Sequence, residues 1–135
     1  MISPAISDDG KRVLYSLITD KSLRKNVNLF MLDLERNKSK IVSSLPGLNT
    51  GAIFAPDGRH IFLTLSHQGN AEIYEMNLKS RKLRRVTKNF APDVDPSLNK
   101  EGTLMTFLSG RSGKAMIYTA TVSYTHLTLP TICSV

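Results

Sequence analysis

Three glycine-centred turns, each leading into an apolar run, recur along this chain and constrain its fold more than any other feature. Ser7-Asp8-Asp9-Gly10-Lys11 leads into Val13-Leu-Tyr-Ser-Leu17, and Ala55-Pro56-Asp57-Gly58-Arg59 leads into Ile61-Phe-Leu-Thr-Leu65. Asn99-Lys100-Glu101-Gly102-Thr103 leads into Leu104-Met-Thr-Phe-Leu108. In the second turn Pro56 presets φ, Asp57 tolerates the next position, and Gly58 takes the positive φ that closes the turn. Each turn therefore joins two strands of a hairpin. The glycines lie 48 and then 44 positions apart (10 to 58, 58 to 102), a period that marks a repeat architecture.

Each repeat divides into short strands. The first reads Pro4 to Ser7, Val13 to Leu17, Asn28 to Leu34 and Lys40 to Ser43, with a polar stretch over residues 19–26. The second reads Ala52 to Phe54, Ile61 to Leu65, Glu72 to Leu78 and Leu83 to Thr87; the third reads Pro96 to Leu98, Leu104 to Leu108 and Ala115 to Thr119. Ile73 and Ile117 both stand 15 past their turn glycine, whereas Leu29 stands 19 past Gly10, so one loop carries the four-residue difference. The second strand of each repeat is nearly continuous in apolar residues, as a strand covered on both faces is. Short four-stranded meanders, buried on both faces and repeated at a fixed period, predict an all-β fold, a β-propeller. A sandwich is the alternative, but it supplies no reason for the period. The chain reads as a propeller fragment: blade 1 over residues 1–47, blade 2 over 48–92, and an incomplete blade 3 over 93–121.

The pattern stops after residue 121. Residues 122–131 read Val-Ser-Tyr-Thr-His-Leu-Thr-Leu-Pro-Thr, with no turn residue and no counterpart of the outer strands. The codons GTC TCT TAT ACA CAT CTG ACG CTG CCG ACG encode that string and resemble a transposase-end sequencing adaptor. Residues 122–135 are accordingly read as a non-native tail, against the alternative of a genuine irregular C-terminus. His126 and Cys133 then carry no function.

Composition narrows the classes. The net charge of +7 raises a nucleic-acid reading. Yet the positive charge clusters at Arg36 to Lys40 and Lys79 to Arg85, at the outer hairpin and outer strand of a repeat, without the aromatics of a stacking platform. A solvated rim is the better reading, and no nucleic-acid partner is expected. No apolar run approaches the roughly 20 residues of a membrane span, so no membrane insertion is expected, and no signal peptide opens the chain.

With the repeats laid out, the chain resembles the propeller of the TolB family, the periplasmic component of the Tol-Pal system of Gram-negative bacteria. The resemblance rests on the Asp-Gly-Lys/Arg turns at Ser7 to Lys11 and Ala55 to Arg59, and on Asn70-Ala-Glu-Ile-Tyr-Glu-Met-Asn77. Leu83-Arg-Arg-Val-Thr87, Asp95-Pro-Ser-Leu98 and Ser109-Gly-Arg-Ser-Gly113 extend it over about residues 2 to 121. Asp8, where Pro is usual, and the whole third turn depart from the pattern but keep the glycine. The resemblance implies a six-bladed parent in the periplasm, serving envelope integrity, cell division and protein import, with a Pal-like outer-membrane lipoprotein as partner. Similar repeats form the gating propellers of prolyl-oligopeptidase-type serine peptidases, which supply the alternative reading.

The residues themselves carry no catalytic constellation. No serine sits in a Gly-x-Ser-x-Gly elbow, and His60 and His67 lack a ligand spacing such as His-Glu-x-x-His. His60 reads as a packed or rim residue. Asp93 and Asp95 lack the further oxygen ligands calcium needs and read as solvated loop acids. No cofactor, metal or enzymatic activity is expected. Function is then placed in loops on a rigid scaffold, over residues 19–27, 44–50, 66–71, 89–95 and 109–114. Ser3, Thr50 and Asp95 are expected at the channel mouth, and with Asp93, His67 and Arg111 they form the candidate partner-binding set. The isolated fragment is expected to self-associate through uncovered blade faces built from Val13, Tyr15, Leu104 and Phe107.

Overall fold

The computed structural model describes residues 2–19 and 26–122, and the backbone of residues 131–133. The described residues form three four-stranded antiparallel sheets, each a simple meander. The first holds β1 (Ile2–Ile6), β2 (Arg12–Ile18), β3 (Val27–Asp33) and β4 (Lys38–Ser43). The second holds β5 (Asn49–Phe54), β6 (His60–Leu65), β7 (Glu72–Asn77) and β8 (Leu83–Arg85). The third holds β9 (Asp93–Leu98), β10 (Leu104–Ser109), β11 (Met116–Thr121) and β12 (Thr131–Cys133). β5 lies against both β1 and β9, so the first strands of the three sheets are neighbours, as blades set around an axis require. This is a partial β-propeller.

The inner hairpins close as the glycine pattern predicts. The N–H groups of Gly10, Gly58 and Gly102 donate to the carbonyls of Ser7, Ala55 and Asn99 at 2.9, 3.0 and 3.0 Å. In the second turn Asp57 does more than tolerate its place. Its Oδ1 accepts the N–H groups of Arg59 at 2.8 Å and His60 at 3.0 Å, and its Oδ2 lies 2.6 Å from His60 Nδ1. Partial burial pushes this carboxyl up, but the hydrogen bonds from Arg59 and His60 outweigh burial and hold it below its ordinary value. His60 is thus a turn-locking residue.

Strand alternation sorts the core into two layers. Ile61, Leu63 and Leu65 pack with Tyr74 and Met76 against Leu14, Leu29, Met31 and Val42 of the first blade. Phe62 and Ile73 point the other way and pack against Met105, Phe107, Tyr118 and Ala120 of the third. The middle blade is therefore covered on both faces, which is why β6 could dispense with polar alternation.

The outer blades each keep one face uncovered. On the first, Tyr15 stacks on Phe30 with centroids 5.6 Å apart, and its hydroxyl lies 2.7 Å from Ser39 Oγ. That local cover buries Tyr15, whereas Ile6 and Ile41 remain exposed. On the third blade the parity differs from the expectation. Phe107 is buried against the second blade with Met105, and the uncovered residues are Leu104 and Leu108. Leu104 and Phe107 are three positions apart, an odd number, so they stand on opposite faces.

The basic runs lie at the outer hairpins and outer strands, as the charge pattern implies, but not all are free. Arg84 pairs with Glu75 at 3.0 Å, and Arg81 Nη1 donates across the blade boundary to the Val42 carbonyl at 3.2 Å. In the third sheet, Thr131–Cys133 pairs with β11 along its outer edge, where no outer strand was expected. Backbone hydrogen bonding to an open strand edge asks little of side-chain identity, so this pairing is compatible with a tail foreign to the repeat. Residues 123–130, which hold most of the adaptor-like string, lie outside the described residues.

Candidate partner-binding face

The connections between blades and the β2–β3, β6–β7 and β10–β11 loops emerge at one end of the sheets. Of these, residues 20–25 lie outside the described set. The remaining loops are held by buried polar side chains near the starts of the strands.

The first clamp is Asn49, buried at the start of β5. Its Oδ1 accepts the Ser43 hydroxyl at 2.6 Å and the Leu45 N–H at 3.1 Å. Its Nδ2 donates to the carbonyls of Val27 at 2.9 Å and Leu45 at 2.7 Å. One amide thus saturates its hydrogen-bonding capacity and ties the end of β4, the connector and the start of β3 to the second blade. The connector also bonds forward: the Leu48 N–H donates to Ser66 Oγ at 2.8 Å.

The second clamp is Glu72, buried at the start of β7. Its Oε2 accepts the Thr87 hydroxyl at 2.9 Å, and its Oε1 accepts the Asn89 N–H at 2.8 Å and Arg85 Nη2 at 3.2 Å. A carboxyl group taken out of water needs such a set of partners to offset its lost hydration. Asn70 completes the clamp by donating from Nδ2 to the carbonyls of Asn89 at 2.8 Å and Ala91 at 3.0 Å.

Asp93 opens β9 and occupies the repeat position of Asn49, each nine residues before its turn glycine (49 to 58, 93 to 102). It is fully buried, which corrects the solvated-acid reading. Burial pushes its carboxyl above the ordinary value. A Ser109 hydrogen bond and the Arg111 charge oppose that rise without cancelling it, and Glu72 adds to it. Arg111 Nη2 donates to Asp93 Oδ2 at 3.0 Å, and its guanidinium lies over Tyr118 at 4.9 Å and Phe107 at 5.4 Å. His67 holds the corresponding place one blade earlier, nine past its glycine (58 to 67, 102 to 111). Its ring sits 5.2 Å from Tyr74, the counterpart of Tyr118.

Ser3 and Asp95 share a backbone feature at the inner strands. Ser3, Gly51 and Asp95 stand at the same repeat position, seven before the turn glycines, with φ of 51, 63 and 57°. Each sits at a register break between first and second strands, a β-bulge that bends the strand locally. Gly51 has close neighbours: a Cβ there would stand 3.0 Å from Asp95 Oδ1 and 3.3 Å from Thr64 Oγ1. Thr50, half-buried, is one residue short of the bulge. Ser3 and Asp95 are exposed, and the Asp95 N–H donates to Thr64 Oγ1 at 3.2 Å.

The structure therefore joins Asp93 to Arg111, sets Asp95 beside Gly51, the neighbour of Thr50, and packs the His67 ring against Tyr74 at a tilt of 51°. Asp93 reaches the surface only through Arg111, whose side chain is 19% exposed. The clamps Asn49, Asn70 and Glu72 were missed by sequence reasoning. Comparing equal offsets from the turn glycines would have paired Asn49 with Asp93 and singled out that position. Among the described residues no group of three or more His, Cys, Asp or Glu converges on a common point.

Known proteins match this arrangement. The family model for the TolB beta propeller domain matches residues 1–132. Tol-Pal system protein TolB of Francisella tularensis subsp. mediasiatica is 31% identical over 123 residues, covering 90% of this chain. The chain spans 27% of that relative's length. Among solved structures, TolB from Acinetobacter baumannii superposes with a TM-score of 0.83 at 21% identity, over 98% of this chain and 32% of that one. A putative TolB from Agrobacterium tumefaciens gives 0.78 at 19% identity, over 95% and 48%. The β-propeller domain of the Trilobed protease from Pyrococcus furiosus shares the fold, with 0.72 at 14% identity over 96% and 41%. Three repeats with equivalent turns and bulges, matched along nearly their whole length by that family model, identify this chain as a member of the TolB β-propeller family.

Proposed function

We propose that this chain is part of a periplasmic, non-enzymatic scaffold of the Tol-Pal type, and that its loop face docks a Pal-like outer-membrane lipoprotein. The observation that carries the reading is the convergence of rigidly clamped connectors on one end of the propeller of a TolB-family chain. Loops held by buried polar clamps present a preorganised surface, which lowers the entropic cost of binding. Ser3, Thr50, Asp95 and His67 are the proposed contacts, with Arg111 positioned by Asp93 behind it. The parent's service in envelope integrity, cell division and protein import belongs to the same proposal. So does the division of the chain into blades at residues 1–47, 48–92 and 93–121, with a foreign tail after them.

A gating propeller of a serine peptidase is the second reading; the likeness to the Trilobed protease propeller, at 14% identity, is one of fold. The 31% identity to TolB of Francisella tularensis, set against 14% to that protease, supports the first. A Gly-x-Ser-x-Gly module encoded downstream in the gene would favour the peptidase.

The test is calorimetric titration of the full-length protein with the soluble domain of the organism's Pal-like lipoprotein. Asp95→Lys and His67→Ala should weaken binding, and Lys82→Glu on the rim should not. Lys82 serves better than Arg81, which is bonded across the blade boundary, and Arg111→Glu would strand the buried Asp93 carboxylate. Equal effects from face and rim overturn the proposal.

A further inference from the structure

Phe90 is 85% exposed, the most exposed of the large apolar side chains described. Exposed apolar residues are common singly, but this one is held in place at some expense of buried polar groups. Asn70 Nδ2 grips the carbonyls on both sides of it, those of Asn89 and Ala91. The buried Glu72 carboxylate takes the Asn89 N–H, and Asn89 Oδ1 takes the Ala91 N–H at 3.1 Å. Ala91 is buried, and the Pro92 carbonyl accepts the Gly110 N–H of the next blade at 3.2 Å. The chain on either side of Phe90 is therefore anchored in the molecule while its ring points to water.

A neighbouring blade does not account for that arrangement. Ile6, Ile41, Leu104 and Leu108 are exposed on the outward faces of the first and third blades, where a neighbouring blade would cover them. Phe90 lies on the connector between the second and third blades, both of which are in place, so a further blade leaves it as it is. Two exposed cations stand on this face, Lys88 on the same connector and Lys114 at the end of the β10–β11 loop, whereas the acids Glu72 and Asp93 beside the connector are buried and paired with Arg85 and Arg111.

We propose that Phe90 is the apolar anchor of the loop face, inserting into an apolar cleft of a protein partner whose rim carries carboxylates that meet Lys88 and Lys114. This rests on the reading of the loop face as a docking surface and adds its energetic centre. Aromatic side chains in desolvated pockets dominate interface energetics, and charges at the edge act mainly on encounter rate and partner choice. A rigid loop suits an anchor because little ordering is left to be done on binding.

The probe is the soluble domain of the Pal-like lipoprotein, titrated into the full-length protein by calorimetry, with association rates measured at low and high salt. Phe90→Ala should weaken binding about tenfold or more with little change in melting temperature, because the side chain is 85% exposed. Phe90→Leu should retain most of the affinity. Lys88→Glu should slow association, with the difference shrinking as salt rises. Binding of Phe90→Ala within about twofold of the unmodified protein overturns the anchor. If Asp95→Lys still weakens binding in that case, the loop face stands without it. If neither variant matters, or the unmodified protein does not bind, both readings fall.

Discussion

Asn49→Ala should destabilise the propeller by about 3–5 kcal/mol, far more than the loss of one ordinary polar side chain. Four hydrogen bonds end on the Asn49 amide, at 2.6 to 3.1 Å. Two partners, the Ser43 hydroxyl and the Val27 carbonyl, belong to buried residues, and a buried polar group left unpaired costs about 1–3 kcal/mol. The other two, the N–H and carbonyl of Leu45, belong to a half-buried residue where water can replace the amide, so each loses about 0.5–1 kcal/mol. Rotation of the Ser43 hydroxyl to another acceptor keeps the sum in the lower part of its range. Urea denaturation of the full-length protein, followed by circular dichroism, measures the change directly, and an unchanged slope would show that the unfolded state is unaffected. Ser44→Ala on the same connector is the control, expected within about 0.5 kcal/mol because Ser44 is exposed. A loss below about 1 kcal/mol for Asn49→Ala, with the slope unchanged, would refute the reasoning that this amide holds the first two blades together.

Gly58→Val should cost on the order of 1 kcal/mol or more, because a β-branched residue is strained at positive φ. Here φ is 66°, and the added Cβ would stand 3.1 Å from Arg12 Nη2, which donates to the Gly58 carbonyl at 2.8 Å; a melting temperature equal to wild type would count against this turn assignment. Asp57 and Asp93 should shape acid stability in opposite senses. Asp57, held below its ordinary value in the folded state, contributes stability above its unfolded value of 3.8 that is lost as pH falls through the depressed folded value. Asp93, held above 3.8 when folded, contributes a loss of stability as pH rises from 3.8 through the raised folded value. Asp57→Asn and Asp93→Asn should each remove one of these slopes in urea titrations run across that range, and unchanged slopes would contradict the assignments. Residues 1–135 expressed alone should self-associate through the uncovered faces that carry Ile6 and Ile41, and Leu104 and Leu108; a monomer near 15.0 kDa with a cooperative melt would refute this. Independently cloned genomic DNA should diverge from the codons of residues 122–131 and continue into an outer strand, and recovery of the same codons would end the adaptor reading.

The repeat was legible because its determinants are local. Gly10, Gly58 and Gly102 are needed wherever an L-residue would be strained, and the apolar runs after them answer to burial on two faces, so period and strand count could be read without any long-range contact. The face on which each residue of β10 stands was also implicit in its parity, which sets Leu104 and Phe107, three positions apart, on opposite faces. What only the tertiary structure decided is where polar side chains go once blades meet. Asp93 and Asp95 are two residues apart and chemically identical, yet one is buried against Arg111 while the other faces water from the bulge. Glu72 reads as an ordinary strand acid until Arg85 of the adjacent strand β8, and Thr87 and Asn89 just beyond it, are brought around it. Such partners lie 13 to 17 residues away and are set by the pairing of β7 with β8 and the path of the connector after it, and a side chain's own identity does not specify which carbonyl or amide will need it. Phe90 shows the converse. Its apolar ring suggests a core position, and only the packing of Ala91 and the clamp on its neighbours turn it outward.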